Sequence, residues 1–428
     1  MSGALRAAAA PGPGGGVSAV PGTEAPGPAV SGSGGGVSGR ARDDAAALGL
    51  LLPGADGRCL GHVLPAVAGV LAEPLGVDPG PGAAQARELL GLPTATRVCV
   101  VLVDGLGQTN LSERAGHAPF LRRRLGEREP LTSTFPSTTA TALSTFGTGV
   151  PPGSTAMLGY TVRDPQTGSL GNLVSWTGLP EPRRWQPVPT VFERLVAAGV
   201  AVTSVGPARF AGSGLTEAAL RGPAYRTADR LAQRVDAAVD VLRAPGVAYL
   251  YWGDIDKAGH HHGWGSWQWG DEVETLDREL ARLAASLPPD TVLVVTADHG
   301  MVDVDRSQRW DVATDERLGA GVALVAGEPR ALHLHLHPEA VADRVAAIWR
   351  DVLGDAALVT TREAAVADGW FGAVDDRVNP VIGDVVVAMA GRATVVDSRT
   401  QTPASLELVG VHGSLTPHEM LVPCVVVA

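Results

Sequence analysis

Three shortages limit what this chain can be. Cysteine occurs three times in 428 residues, at Cys59, Cys99 and Cys424. An odd, scattered set builds neither a disulfide framework nor a thiolate metal site, so reduced cysteines of a cytoplasmic protein are expected. Basic residues are also short: 34 Lys and Arg stand against 45 Asp and Glu, a formal net charge of -11. Binding to a nucleic-acid polymer needs the opposite excess and is not expected. Long apolar runs are missing as well. No stretch reaches the roughly 18 uninterrupted apolar residues of a membrane span, and the amino terminus has no apolar core of signal-peptide type. No membrane association is expected, and the sequence is silent on oligomeric state.

Apolar residues are nonetheless plentiful, at 45%, enough to bury a large core. Residues 1 to about 45 form a low-complexity Ala/Gly/Pro/Ser tail, expected to be disordered. From 46 to 428 one large domain is expected. Strand-like runs such as RVCVVLVD (97 to 104), VAVTSVG (200 to 206), VAYLYW (247 to 252) and TVLVVTAD (291 to 298) alternate with helical stretches. That order predicts an α/β fold, a mostly parallel central sheet with helices on both faces. From about 328 to 400 the texture changes to ALHLHLH, VADRVAAIW and GDVVVAM, which suggests a small α+β insertion before the chain returns to the core.

Several buried-type strands end in acids. One run stops at Asp104, another at Asp254 and Asp256, a third at Asp298 with His299 beside it. Strand ends of one parallel sheet emerge along one edge, where open α/β sheets place ligand chemistry. Any single one of these acids suits an ordinary turn or helix cap. Gathered together they would repel, and a divalent cation is the usual remedy. His260 lies four residues after Asp256, and His412 precedes a Gly near the carboxyl end. Mixed oxygen and nitrogen ligands without thiolates favour catalytic zinc. His261 and His262 are expected as exposed neighbours, and the alternating His333, His335 and His337 as structural residues sharing one strand face.

Five motifs in order, VDG (103 to 105), PSTTATALSTFGTG (136 to 149), DKAGHHHG (256 to 263), ADHG (297 to 300) and VHGS (411 to 414), resemble the alkaline phosphatase superfamily. The resemblance is greatest to its nucleotide pyrophosphatase/phosphodiesterase branch and covers about 95 to 428. It implies an alkaline phosphatase-like fold and a metal-dependent hydrolase of phosphodiester or pyrophosphate bonds. In that family the nucleophile precedes a Thr-Gly pair by nine residues, which selects Thr139. The resemblance further implies one metal site of Asp104, Thr139, Asp298 and His299, and another of Asp256, His260 and His412. Two Zn²⁺ ions are expected, with Mn²⁺ or another divalent ion as substitutes, and a phospho-threonine intermediate.

Two positions depart from the family pattern. Where the branch carries an Asn that contacts a phosphoryl oxygen, 21 residues after the nucleophile, this chain has Tyr160; its hydroxyl is a candidate replacement. Asp254 is extra and reads as an acceptor for a ligand His or a turn residue. Arg163 and Lys257 are candidate cations for a dianionic substrate. Trp252, Trp264, Trp267 and Trp269 surround the second metal motif, either stacking on a flat group or packing a loop. The expected partner is a small phosphorylated substrate, nucleotides included. Two other readings stand beside this one: a phosphomonoester, phosphonate or sulfate hydrolase on the same site, and a non-catalytic metal-binding scaffold.

Overall fold

The computed structural model describes residues 39–54 and 57–428. The expected tail lies largely outside the described residues; its final part, from Gly39, belongs to a helix, Gly39–Ala47. No helix among the described residues is long and apolar enough to cross a membrane.

Six strands form the central sheet in the spatial order Val425–Val427, Thr291–Ala297, Arg97–Val103, Gly246–Trp252, Val202–Gly206 and Ala224–Thr227. All neighbours are parallel except the Val425–Val427 edge strand, which runs antiparallel to Thr291–Ala297. The central three strands read as unbroken apolar runs because both of their faces are covered, so alternation of polar and apolar residues has no place there. Val98 to Val103 are fully buried. Helices Val63–Leu75, Val191–Ala197 and Leu231–Val241 pack directly on this sheet.

A second six-stranded sheet, antiparallel throughout, accounts for the expected insertion. Its order is Ala357–Thr361, Val385–Met389, Ala331–Leu336, Val322–Glu328, Thr161–Arg163 and Leu170–Asn172. The α+β region therefore begins before residue 328, and it recruits a hairpin from near residue 165 that local sequence texture could not connect to it. Helix Ala342–Leu353 covers this sheet and buries Trp349 in a separate apolar cluster. The hairpin stitches the second sheet to the segment that follows the Thr139 helix, which brings Glu328 beside Tyr160.

Candidate metal centre

The register of the sheet sets the site. Val103 lies opposite both Trp252 and Ala297, so three strands end level and release Asp104, the Asp254–His262 helix and Asp298 at one edge. Asp256 and His260 are one helical turn apart on that helix and face the same way. The turn after Asp104 brings backbone against backbone. Gly105 has φ +73°, and a Cβ there would lie 2.9 Å from the Asp256 Cα; only glycine allows that approach. Thr139 is the first residue of helix Thr139–Thr148, after Thr138 in extended conformation. His412 follows the short strand Gly410–Val411, which pairs with Val302–Asp303.

The seven expected ligand residues converge. His299 Nε2 lies 3.2 Å from Thr139 Oγ1, 3.4 Å from Asp104 Oδ1 and 3.6 Å from Asp298 Oδ2. His260 Nε2 is 3.2 Å from Asp256 Oδ2, and His412 Nε2 is 3.8 Å from Asp256 Oδ1. Ligand atoms of Asp104, Asp298 and His299 form one group that could hold a cation, and those of Asp256, His299 and His412 form another. His299 is thus close to both groups, and His260 adjoins the second through Asp256.

The surroundings aim these atoms inward. The Nδ1 atoms of His260, His299 and His412 lie 2.7, 3.0 and 3.1 Å from the carbonyls of Gly410, Gly300 and Ser137. A carbonyl can only accept, so each Nδ1 donates, and in the neutral ring Nε2 keeps its lone pair for a cation. Asp298 Oδ1 accepts from the N–H groups of Gly105 and His299, and Asp104 Oδ2 accepts from the Tyr251 hydroxyl. The remaining oxygens, Asp104 Oδ1, Asp256 Oδ1 and Asp298 Oδ2, are buried without any hydrogen-bond partner among the described residues. One orphaned oxygen on each of three clustered carboxylates fits divalent cations, since burying such atoms unpaired is costly.

Electrostatics point the same way. Burial, reinforced by the neighbouring carboxylates, pushes Asp104 well above the usual carboxylate range. Asp298 is also raised by burial, against the opposing effect of His299. Burial favours the neutral acid at Asp256 too, but the charge and hydrogen bond of His260 outweigh it and hold that carboxyl low. Burial likewise works against the charged form of His260, yet Asp256 lifts it to about 9. His412 is driven well below its ordinary value by burial and by His299. Carboxylates raised in this way favour a bound cation, whose charge lets them ionise.

A cavity of about 450 Å³ opens from Thr139, Asp104, Asp256, His260 and His412. Tyr160 stands at its rim, 47% exposed, with its backbone N–H donating to Glu328 Oε2 at 2.8 Å. Several other candidate residues lie away from the cavity. Arg163 and Lys257 do not line it, and none of the four tryptophans does; Trp269 is buried, while Trp267 is 70% exposed. Asp254 joins neither ligand group and lies in the first turn of its helix, where a negative charge suits the dipole. His333 and His335 are buried, whereas His337 falls beyond the strand end and is exposed. The sequence reading missed Arg209, Phe210 and Tyr251 on the cavity wall. Alternation along Gly246–Trp252 could have found Tyr251, which shares a strand face with Tyr249.

This fold, with a cluster of Asp and His side chains that could bind metal, is that of an alkaline-phosphatase-like phosphoesterase class. The chain belongs to the type I phosphodiesterase/nucleotide pyrophosphatase family, whose model matches residues 98–415. Murine ectonucleotide pyrophosphatase/phosphodiesterase 5 has a similar structure, with TM-score 0.60 and 16% identity over 77% of this chain and 87% of that one. Phosphonoacetate hydrolase from Sinorhizobium meliloti 1021, in complex with phosphonoacetate, gives TM-score 0.60 and 23% identity over 77% and 89%. At such identities the likeness shows the fold. A phosphopentomutase from Anaeromyxobacter dehalogenans (strain 2CP-C) is 38% identical over 120 residues, which span 27% of this chain and 28% of that protein.

Proposed function

We propose that this protein is a two-zinc phosphodiesterase or nucleotide pyrophosphatase that works through a phospho-threonine at Thr139. The observation that carries the reading is the set of three orphaned carboxylate oxygens facing three imidazoles beside the Thr139 hydroxyl. Asp104, Thr139, Asp298 and His299 would hold one ion, and Asp256, His260 and His412 the other. Bound there, zinc ions supply charge that neutralises the carboxylates, acidify the Thr139 hydroxyl and stabilise the entering and leaving oxygens.

The chain's own residues do the rest. The helix that begins at Thr139 directs free backbone N–H groups and the positive end of its dipole toward an incoming phosphoryl group. Thr139 Oγ1 attacks phosphorus as its proton leaves, the P–O bond to the departing group breaks, and water later hydrolyses the phospho-threonine to restore the hydroxyl. The three Nδ1–H donations to carbonyls fix the rings, so ligand geometry is set before substrate arrives. A small phosphorylated substrate, with nucleotides in that class, fits a cavity of this size. Three free cysteines fit a cytoplasmic setting.

Hydrolysis of bis-p-nitrophenyl phosphate compared with p-nitrophenyl phosphate, after chelation and zinc restoration, tests the reading. Preference for the diester is expected. Preference for the monoester, or for a phosphonate or sulfate, would move the activity to another hydrolase of the same site, and inertness toward all of them would leave a metal-binding scaffold.

A further inference from the structure

The cavity wall contains a cation that the phosphoryl chemistry leaves unused. Arg209 lies in the short turn Ala208–Phe210, which follows the central strand Val202–Gly206. It is the one Arg or Lys among the described residues lining the cavity, and its side chain is exposed. Its guanidinium lies over the Phe210 ring, 4.6 Å from the centroid. Among the described residues it makes no ion pair, and no side-chain hydrogen bond occupies its N–H groups.

The turn that carries it is fixed in place. The Tyr225 hydroxyl donates to the Pro207 carbonyl at 2.9 Å. Phe210 meets Tyr251 edge to face, with centroids 5.6 Å apart and planes at 84°, and the Tyr251 hydroxyl donates to Asp104 Oδ2. Three contacts therefore connect the guanidinium to a metal-site carboxylate through one aromatic wall. Nearby Arg234 offers a contrast. It is buried and spends its N–H groups on the carbonyls of Ala228, Asp229 and Tyr251. Its charge adds to the positive potential near Arg209, yet only Arg209 has donors to give.

We propose that Arg209 determines specificity by binding a second anionic group on the substrate, so that preferred substrates carry a carboxylate or phosphate in addition to the phosphoryl group attacked by Thr139. This rests on the hydrolase reading above. The wall that carries Arg209 ends at Asp104, on the Thr139 side of the cavity, so the proposal puts the second anion on the substituent that stays on phosphorus and not on the departing group. A guanidinium held over an aromatic face keeps its edge free for two parallel hydrogen bonds to such an anion. Arg209 is exposed, so solvent screens its bare charge, and selection comes from the directed hydrogen bonds that its place on the Phe210 ring allows.

The test uses the full chain with zinc restored and two matched esters, 4-nitrophenyl phenylphosphonate and its 4-carboxyphenyl analogue. The wild type should prefer the carboxylated ester. Arg209→Gln should lower that preference by about tenfold, mainly through KM, as loss of a hydrogen bond to a charged group does. Arg209→Lys should restore part of it. A third ester with phosphonate in place of carboxylate separates the two anions, because the one with the greater Arg209-dependent preference is the natural match. If the wild type hydrolyses both matched esters but shows no preference, or if Arg209→Gln changes both equally, Arg209 has no such role and the hydrolase reading stands. If the wild type hydrolyses neither of these esters nor bis-p-nitrophenyl phosphate, both fall; if it hydrolyses bis-p-nitrophenyl phosphate alone, the hydrolase reading stands and the Arg209 role does not. An unchanged melting temperature for Arg209→Gln will show that any effect is local, as expected for an exposed side chain without hydrogen bonds.

Discussion

The imidazoles of His299 and His412 stack face to face, with centroids 3.6 Å apart and planes 17° from parallel. These rings come from chain segments more than a hundred residues apart, one at a central strand end and one near the carboxyl terminus. The stack sets an imidazole of one proposed metal site against an imidazole of the other, with ligand nitrogens of the two rings within 4.8 Å. Two cations held by these rings would share one electrostatic environment, with Asp256 close to both groups.

The first prediction follows from that coupling. Protein purified with zinc should contain two ions per chain, and chelation should abolish hydrolysis until zinc or manganese is returned. Removing the ions leaves the three carboxylates to repel or take protons, so the melting temperature should fall by roughly 5 °C or more. Elemental analysis with trace zinc only, together with activity and melting indifferent to chelator, would sink the two-metal reading.

Thr138 and Thr139 provide the second. Both are near the site, but only Thr139 Oγ1 is within 3.2 Å of His299 Nε2. Thr139→Ala should lower kcat by roughly 10³-fold or more, as expected when an attacking group is deleted. Thr138→Ala should retain most activity, since the Thr138 side chain does not cap the helix and its hydroxyl serves Glu328, not the reacting atoms. Thr139→Ser should keep partial activity, because the hydroxyl survives without the methyl that restricts its rotamer. A dead Thr138→Ala with an active Thr139→Ala would reverse the assignment.

Much of this was legible because the chemistry is delivered by strand ends. Apolar runs closing on Asp104 and on Asp298 and His299 announce both the sheet and its reactive edge, and the four-residue spacing of Asp256 and His260 needs only a helix to become a ligand pair. The cavity wall was less legible for a physical reason. Arg209 and Phe210 lie in a turn whose sequence resembles any surface loop, and their importance comes from Tyr225 and Tyr251, which reach them across the sheet. The hairpin around residues 161–172 was missed as part of the second sheet because antiparallel pairing with Val322–Glu328 joins segments about 160 residues apart. The tryptophan cluster stood out in sequence, yet its rings are spent on packing or on solvent, away from the cavity.

The third prediction concerns acid. Burial first lowers both His333 and His335 to about 3, helped at His333 by His335 and Arg362 and at His335 by Arg163 and Arg362, and the Nε2 of each is buried without a partner among the described residues. An unfolded histidine titrates near 6.5, so the unfolded chain takes up these protons first as the pH falls. Their contribution to stability is complete above about pH 6.5 and is lost progressively toward pH 3. At pH 5 each should cost about 2 kcal/mol relative to neutral pH. Urea midpoints measured at pH 7.5 and pH 5.0 should therefore differ, and His335→Gln, which cannot titrate there, should narrow the gap. An equal gap in wild type and variant would show that His335 is protonated in the folded protein.

The last prediction returns to Tyr160. Its backbone is anchored by Glu328, a buried carboxyl that burial pushes up to about 8, while its side chain stands 47% exposed at the cavity rim. A firmly held backbone with a free phenol is the arrangement expected of a donor that meets the substrate from the open side. If the hydroxyl donates to a phosphoryl oxygen that gains charge in the transition state, Tyr160→Phe should lower kcat by about 10²-fold with little change in KM, the usual effect of removing one such donor. Phenylalanine keeps the apolar surface, so a residue that only lines the rim would leave kcat unmoved. Glu328→Ala gives an independent check. It releases the Tyr160 backbone N–H and also the Thr138 hydroxyl beside the nucleophile, so the part of its effect that passes through Tyr160 is the part that disappears in the Tyr160→Phe background. Full additivity of the two substitutions would mean that Glu328 and the Tyr160 hydroxyl act separately, whereas an unmoved kcat in Tyr160→Phe would send the phosphoryl contact to another group on the cavity wall.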